Sequence, residues 1–262
     1  MILILFLIVH WYAALFMQTF YLHRYASHGQ LIMSKFWERF FHICTYVFQG
    51  ASYLSPRAYG VLHRMHHAFS DTEDDPHSPH HTGNPFQMMY QTKKIYQGLY
   101  ERKILPDERF EKGIPEWETL DKIGDSWYSR VGWGAIYFVI YYLSISVYEL
   151  PGTHWWMYAL LPLHFIVGPL QGAIVNWCGH KYGYVNFDNN DKSRNSLFWD
   201  VFLLGELFQN NHHKFPVRSN FAVRWFEFDP LYPALLVFHK LGIAKIKGYS
   251  KPTKPDFKKK YA

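Results

Sequence analysis

Residues 36–56, "FWERFFHICTYVFQGASYLSP", decide how this 262-residue chain is threaded. The stretch is apolar enough to enter a hydrocarbon core, yet Glu38, Arg39 and His42 interrupt it near its start. It separates "HRYASH" (23–28) from "HRMHH" (63–67). If it crossed a membrane, His28 and His63 would lie on opposite faces and could not share a site. If it lies in the interface, or dips in and returns, every histidine-rich motif falls on one side, with the basic residues.

Three other stretches, 1–22, 131–150 and 154–177, are long and apolar enough to cross a core of about 30 Å, which takes about 20 helical residues. The first has no basic leader and no small-residue cleavage site, so it reads as a retained span rather than a signal peptide. "PGT" (151–153) joins the second and third as a tight hairpin, and Pro162 and Pro169 are expected to kink the third without stopping it. The expected fold is an all-α integral membrane protein with about three transmembrane helices and an interfacial or re-entrant helical segment. A cytoplasmic helical cap, from 23–130 and 178–250, completes a single domain over 1–262. Within the cap, 78–126 is polar and rich in Pro and Gly, which predicts short helices and loops. The tail 251–262, "KPTKPDFKKKYA", reads as a disordered, lipid-facing basic end.

Composition agrees with this division. Aromatic residues make up 20% of the chain, suiting a protein that meets lipid headgroups. A mean hydropathy of −0.20 requires polar and apolar residues to be segregated along the sequence. They are: of 27 Lys and Arg, 13 fall between Arg24 and Arg130, 14 between Lys181 and Lys260, and none in 1–23 or 131–180. A net charge of +6 spread this way suits cytoplasmic segments beside anionic lipid, not a nucleic-acid footprint. Cys44 and Cys178 show no CxxC spacing and read as reduced packing residues.

Histidine recurs just beyond the span ends. "HRMHH" sets His63, His66 and His67 at offsets of zero, three and four, one stripe of a helix. His23 and His28, five apart, converge only if their helix ends or bends between them. "NWCGHKYG" puts Asn176 and His180 four apart, and "GELFQNNHHKFP" repeats the zero, three, four spacing with Gln209, His212 and His213. Eight imidazoles on one side are enough for two metal ions, since one zinc site takes about four ligands. Imidazole suits iron, zinc, copper or nickel, so the residues alone leave the metal open. Carboxylates at Asp71, Glu73, Asp74, Asp75 and Glu206 are placed to hold the second ring N–H of ligating histidines.

"HRYASH", "HRMHHAFSDTEDDPHSP", "NWCGHKYGY" and "GELFQNNHHKFP" resemble the histidine boxes of membrane-bound fatty acyl desaturases, most closely the acyl-CoA Δ9 (stearoyl-CoA) type. Order and spacing agree from about residue 20 to residue 230. The resemblance implies a di-iron centre with two iron ions on the cytoplasmic cap, and O2 as co-substrate. It implies two electrons from a separate donor protein of the ferredoxin, rubredoxin or cytochrome b5 type, and a cis double bond as the product. The substrate would be an acyl-CoA, another acyl thioester or a lipid. The implied ligands are His23, His28, His63, His66, His67, His180, His212 and His213, with Asn176 reaching one iron through water.

Two departures from the family pattern stand out. Gln209 replaces the histidine that usually opens the last box, which puts its metal contact in doubt. One span precedes the first box, where the family has two. Arg24, Arg57, Lys93, Lys94 and Lys181 could hold a phosphorylated head group, though each alone reads as topology-setting charge.

The chemistry accounts for the need for metal. An unactivated methylene has no acidic proton and no leaving group, so acid–base side chains cannot attack it. Other readings are a lipid hydroxylase or ketolase of the same di-iron class, a b-haem electron carrier with paired histidines on facing spans, or a metal transporter with ligands at mid-bilayer. "PHSPHH" (His77, His80, His81) reads as polar surface, although the family repeats a histidine at the place of His77. His10, His42, His154, His164 and His239 read as hydrogen-bonded packing residues. His164, at mid-span, keeps a functional reading open.

Overall fold

The computed structural model describes residues 1–249, so the basic tail at 251–262 lies outside the described residues. Helix α1 (Ile2–Met17) continues without a break into a π-helix, Gln18–Ser27. Helix α7 (Trp127–Tyr142) ends in a π turn at Leu143–Val147, and α8 (Leu161–Lys181) follows a 3-10 turn at Trp155–Leu160. These three helices, Ile2–Ser27, Trp127–Val147 and Trp155–Lys181, are long and apolar enough to cross a membrane. They turn Ile4, Ile8, Phe138, Val139, Phe165 and Ile166 outward, an apolar surface that in water would be costly.

The observed limits differ from the expected ones in three ways. The first helix runs to Ser27 rather than 22, because the π register carries the polar "HRYAS" without breaking the hydrogen-bond ladder. The second begins at Trp127, where Ser126 accepts from Ser129 N at 3.2 Å as an N-cap. Pro162 sits in the first turn of α8, where no N–H is required, and only Pro169 is internal to that helix.

Helix α2 (Lys35–Gln49) is inside-out by the standard of a soluble protein. Phe36, Phe40, Ile43 and Val47 are exposed along one face, while Glu38, His42, Thr45 and Gln49 are buried on the other. That pattern fits a helix whose outer face meets lipid and whose polar face meets protein. The buried groups are paired: His42 Nε2 lies 2.9 Å from Asp121 Oδ1, and Tyr25 donates to Glu38 Oε2 at 2.5 Å. The chain turns back through Gly50–Ser52 into α3 (Pro56–Phe69).

The tip of this arm packs between α7 and α8. Ala51 N donates to Tyr137 Oη at 3.3 Å, and Gly168 N to Ser52 Oγ at 3.3 Å. Tyr137 and Gly168 lie ten residues past Trp127 and thirteen before Lys181, about 15–20 Å along those helices. Residues 36–56 therefore go in and come back, as the parity of the histidine motifs requires.

His164 and His10 meet inside the helical bundle, Nδ1 to Nδ1 at 2.7 Å, and His164 Nε2 lies 3.1 Å from the Tyr141 hydroxyl. This direct contact leaves no space for a macrocycle between the two rings, so the facing pair does not form a haem clamp. Both histidines are hydrogen-bonded packing residues.

The cap is assembled from α3, α4 (Pro85–Tyr100), α5 (Glu108–Glu111), α6 (Glu118–Asp125), α9 (Gln209–Lys214) and α10 (Tyr232–Lys240). α4, at sixteen residues, is longer than the short helices expected for 78–126. The strand content among the described residues is one antiparallel ribbon, β1 (Leu31–Ile32) with β2 (Lys245–Ile246). Buried Arg24 donates to Asp229 Oδ2 at 2.7 Å and stacks over Phe221, tying the π-helix to the segment before α10.

Gly50 has φ +52°, and a Cβ there would lie 1.9 Å from Tyr137 Oη. Gly50→Ala should therefore destabilise the protein by about 1–3 kcal/mol, read as a lower melting temperature in detergent. Tyr137→Phe in the same chain should recover part of the loss. An unchanged melting temperature for Gly50→Ala would contradict the seating of the arm.

Candidate metal centre

The π-helix answers the five-residue spacing of the first motif. Its hydrogen bonds run from residue i to i+5, and His28 N donates to His23 O at 3.1 Å. The two rings thereby lie one turn apart, edge to face, with centroids 4.9 Å from each other. Helix α3 presents His63, His66 and His67, and α8 delivers His180 at its last turn. The short α9 carries His212 and His213. It is fixed by buried amides: Asn211 Nδ2 donates to Phe221 O and Glu227 Oε2, each at 2.9 Å, and Asn210 Oδ1 accepts from Asn186 N and Phe187 N.

Five rings form the first cluster: His23, His28, His63, His67 and His212, with one nitrogen of each within 4.8 Å of the others. Their Nε2 atoms converge. His28 and His63 are 2.8 Å apart, His67 and His63 3.1 Å, His67 and His212 2.9 Å, and His23 and His212 3.0 Å. His23 Nδ1 lies 2.5 Å from Glu206 Oε2, an ion-pair contact, and its Nε2 faces His212. Thr19 donates to Glu206 and accepts from Arg24 Nη1 at 2.9 Å, so the carboxylate is held in turn.

The second cluster is His66, His180 and His213. Each Nδ1–H donates to a carboxylate: His66 to Asp75 at 2.9 Å, His180 to Asp71 at 2.8 Å and His213 to Asp191 at 2.7 Å. All three Nε2 atoms are buried with no hydrogen-bond partner. Asp71 adopts φ +60°, a left-handed conformation aspartate tolerates. From there its carboxylate also accepts from Lys192 N at 2.8 Å and Ser78 Oγ at 3.0 Å. Burial would raise the Asp71 and Asp191 carboxyls, but the bonds from His180 and His213 outweigh it and hold both below the usual carboxylate range.

These residues fit metal ions. Burial holds the rings of His28, His63, His66, His67 and His212 well below the ordinary imidazole value, so they are neutral, the ligating form. Nitrogens packed this closely are held together by a proton or a positive ion between them. An ion about 2.0–2.1 Å from each nitrogen sets neighbouring donors about 3 Å apart, matching the separations in the first cluster. In the second cluster, carboxylates at the far nitrogens fix the tautomer that leaves Nε2 free.

All eight histidines singled out in the sequence are thus brought together, in groups of five and three. Asn176 donates from Nδ2 to Gly172 O at 2.9 Å, within its own helix. Gln209 is buried, and its Nε2 donates to Glu206 O at 2.6 Å. Of the acidic residues, Glu206, Asp71 and Asp75 hold rings, whereas Glu73 and Asp74 are exposed. Asp191 was not singled out, because it lies between loops with no periodic spacing to mark it; nor were Asn210 and Asn211. His77 is 5% exposed and packs on His66, which corrects its reading as polar surface.

The model of the fatty acid desaturase family matches residues 1–243. This chain belongs to the fatty acid desaturase family. Among curated relatives of this desaturase-family chain, a sn-1 stearoyl-lipid 9-desaturase of Synechocystis sp. is 28% identical over 85% of the chain and 64% of its own length. A sn-1 stearoyl-lipid 9-desaturase of Anabaena variabilis is 26% identical over 91% of the chain and 80% of its own length. An acyl-CoA 5-desaturase of Anemone leveillei is 26% identical over 85% of the chain. The chain spans 64% of the length of the Synechocystis and Anemone relatives.

Glu206→Gln should weaken divalent-metal binding about 10–100-fold, read by competition with a chromophoric chelator, because the amide can turn its NH2 toward His23 and disturb the tautomer. Wild-type affinity in this variant would contradict the holding role of Glu206.

Proposed function

We propose that this chain is an O2-dependent fatty acyl desaturase that places a cis double bond in a long acyl chain. The observation that carries the reading is the pair of adjoining histidine clusters whose unpaired or mutually facing Nε2 atoms fit two metal ions. The bound ions, two irons, would supply the oxidising power that no side chain has. The overall reaction balances as CH2–CH2 plus O2, two electrons and two protons giving CH=CH and two waters. The electrons come from a separate small redox protein of the ferredoxin, rubredoxin or cytochrome b5 type.

The ligands of this reading are His23, His28, His63, His67 and His212 for one ion, and His66, His180 and His213 for the other. The chain's remaining residues orient the rings and exclude water. Glu206, Asp71, Asp75 and Asp191 hold imidazole N–H groups, while Phe221 packs on His212 with centroids 4.4 Å apart and Tyr59 stacks on His63. Asn176 reaches the second ion through water in this reading.

Both basic blocks lie outside the stretches 1–23 and 131–180, which supports a cap on the cytoplasmic face by the positive-inside rule. The substrate is a long acyl chain carried by lipid or CoA. The names of the Synechocystis and Anabaena relatives favour position 9 and a lipid carrier; that of the Anemone relative favours CoA.

The test is expression in a host lacking its own desaturase, with mass spectrometry of total fatty acids and of intact lipids and acyl-CoAs. The expected product is a cis-monounsaturated chain, lost by at least about 100-fold in His63→Ala and His212→Ala while both variants remain in the membrane. A hydroxylated product, or normal activity in either variant, would overturn the reading.

A further inference from the structure

The second cluster has three imidazoles where the first has five, and position 209, which resembles a ligand position, carries an amide turned back to Glu206 O. The stem of Gln209 packs on Gly179, where a Cβ would lie 2.4 Å from its Cγ. Beside this short-handed cluster stands a histidine that has no assigned work. His77 is 5% exposed, and neither ring nitrogen has a hydrogen-bond partner. Leaving a buried polar group unpaired is costly, so an imidazole with two such nitrogens needs a reason to be there.

Its surroundings are those of the metal cluster. The His77 ring lies 4.3 Å from that of His66, and His66, Asp75 and His77 form a third group with donor atoms within 4.8 Å of one another. The backbone N–H of His77 donates to Asp75 Oδ1 at 3.0 Å, the carboxylate that holds His66. The next residue, Ser78, donates to Asp71, the carboxylate that holds His180. Pro76 and Pro79 restrict the backbone on either side. One loop, 71–79, thus delivers two holding carboxylates and one unoccupied imidazole to the same place.

We infer that His77 is a ligand of the second metal ion, supplying the imidazole that Gln209 does not. The inference rests on the di-metal reading above. His77 groups with His66 and Asp75 rather than with His180 and His213, so ligation requires its ring to turn. No hydrogen bond to the ring opposes that turn.

The test counts metal. Protein purified in detergent is loaded with ferrous iron without oxygen, treated with a mild chelator, and its iron per chain measured by mass spectrometry. The wild type should hold about two ions, and His77→Ala and the closer-fitting His77→Asn about one each. Adding Gln209→His to either variant should restore about two, a rescue that a purely structural role for His77 would not give. If both single variants keep two ions, or Gln209→His does not rescue, the role of His77 is overturned while the di-metal reading stands. If the wild type itself holds fewer than two, both fall.

Discussion

The structure depends on one repeated interaction, a buried carboxylate accepting the far N–H of an imidazole. Asp75 on His66, Asp71 on His180 and Asp191 on His213 each commit one ring proton, and so decide where the other nitrogen's lone pair points, while Glu206 makes an ion-pair contact with His23 Nδ1. A ring without such a partner has no hydrogen bond to a carboxylate to fix which nitrogen it presents. With it, three rings from α3, α8 and α9 are aimed before any ligand arrives. Asp71 and Asp191 remain charged because the imidazole bonds outweigh their burial and hold both below the usual carboxylate range.

The rest of the fold brings those donors and acceptors together. The helical hairpin α7–α8 brings His180 to the same end of the bundle as His23. The arm formed by α2 enters along those helices and returns, so that the second half of α3 runs beside the end of the π-helix, where Arg64 Nε donates to Ser27 O at 2.6 Å. Its inverted polarity, with Phe36, Phe40 and Ile43 outside and Glu38 and His42 inside, suits an apolar solvent. The Arg24–Asp229 pair, fully buried, fixes the π-helix against the last part of the cap and positions Thr19 and Glu206 through the same network. Removing one member would strand the other charge out of water, which makes the pair a constraint on geometry more than a source of stability.

Much of this was legible from residue spacing, where periodicity carries the information. "HRMHH" reads directly as one helical stripe, and the parity of 36–56 follows from requiring His28 and His63 to meet. The five-residue step from His23 to His28 called for a bend; the chain supplies a π-helix instead, which no composition signal distinguishes from an α-helix. Asp71, Asp75 and Glu206 were visible because they sit near histidines in sequence. Asp191 was not, since only the folding of 182–208 over the cap brings it to His213. His77 was misread because a Pro- and His-rich loop looks solvated until the helices that bury it are in place.

The central claim is that the convergent rings hold two ions at defined places. Crystallographic anomalous scattering at the iron absorption edge tests this directly on the iron-loaded protein. Two peaks are predicted, one among the Nε2 atoms of His23, His28, His63, His67 and His212, the other beside the Nε2 atoms of His66, His180 and His213. A single peak, or peaks away from these nitrogens, would contradict the account.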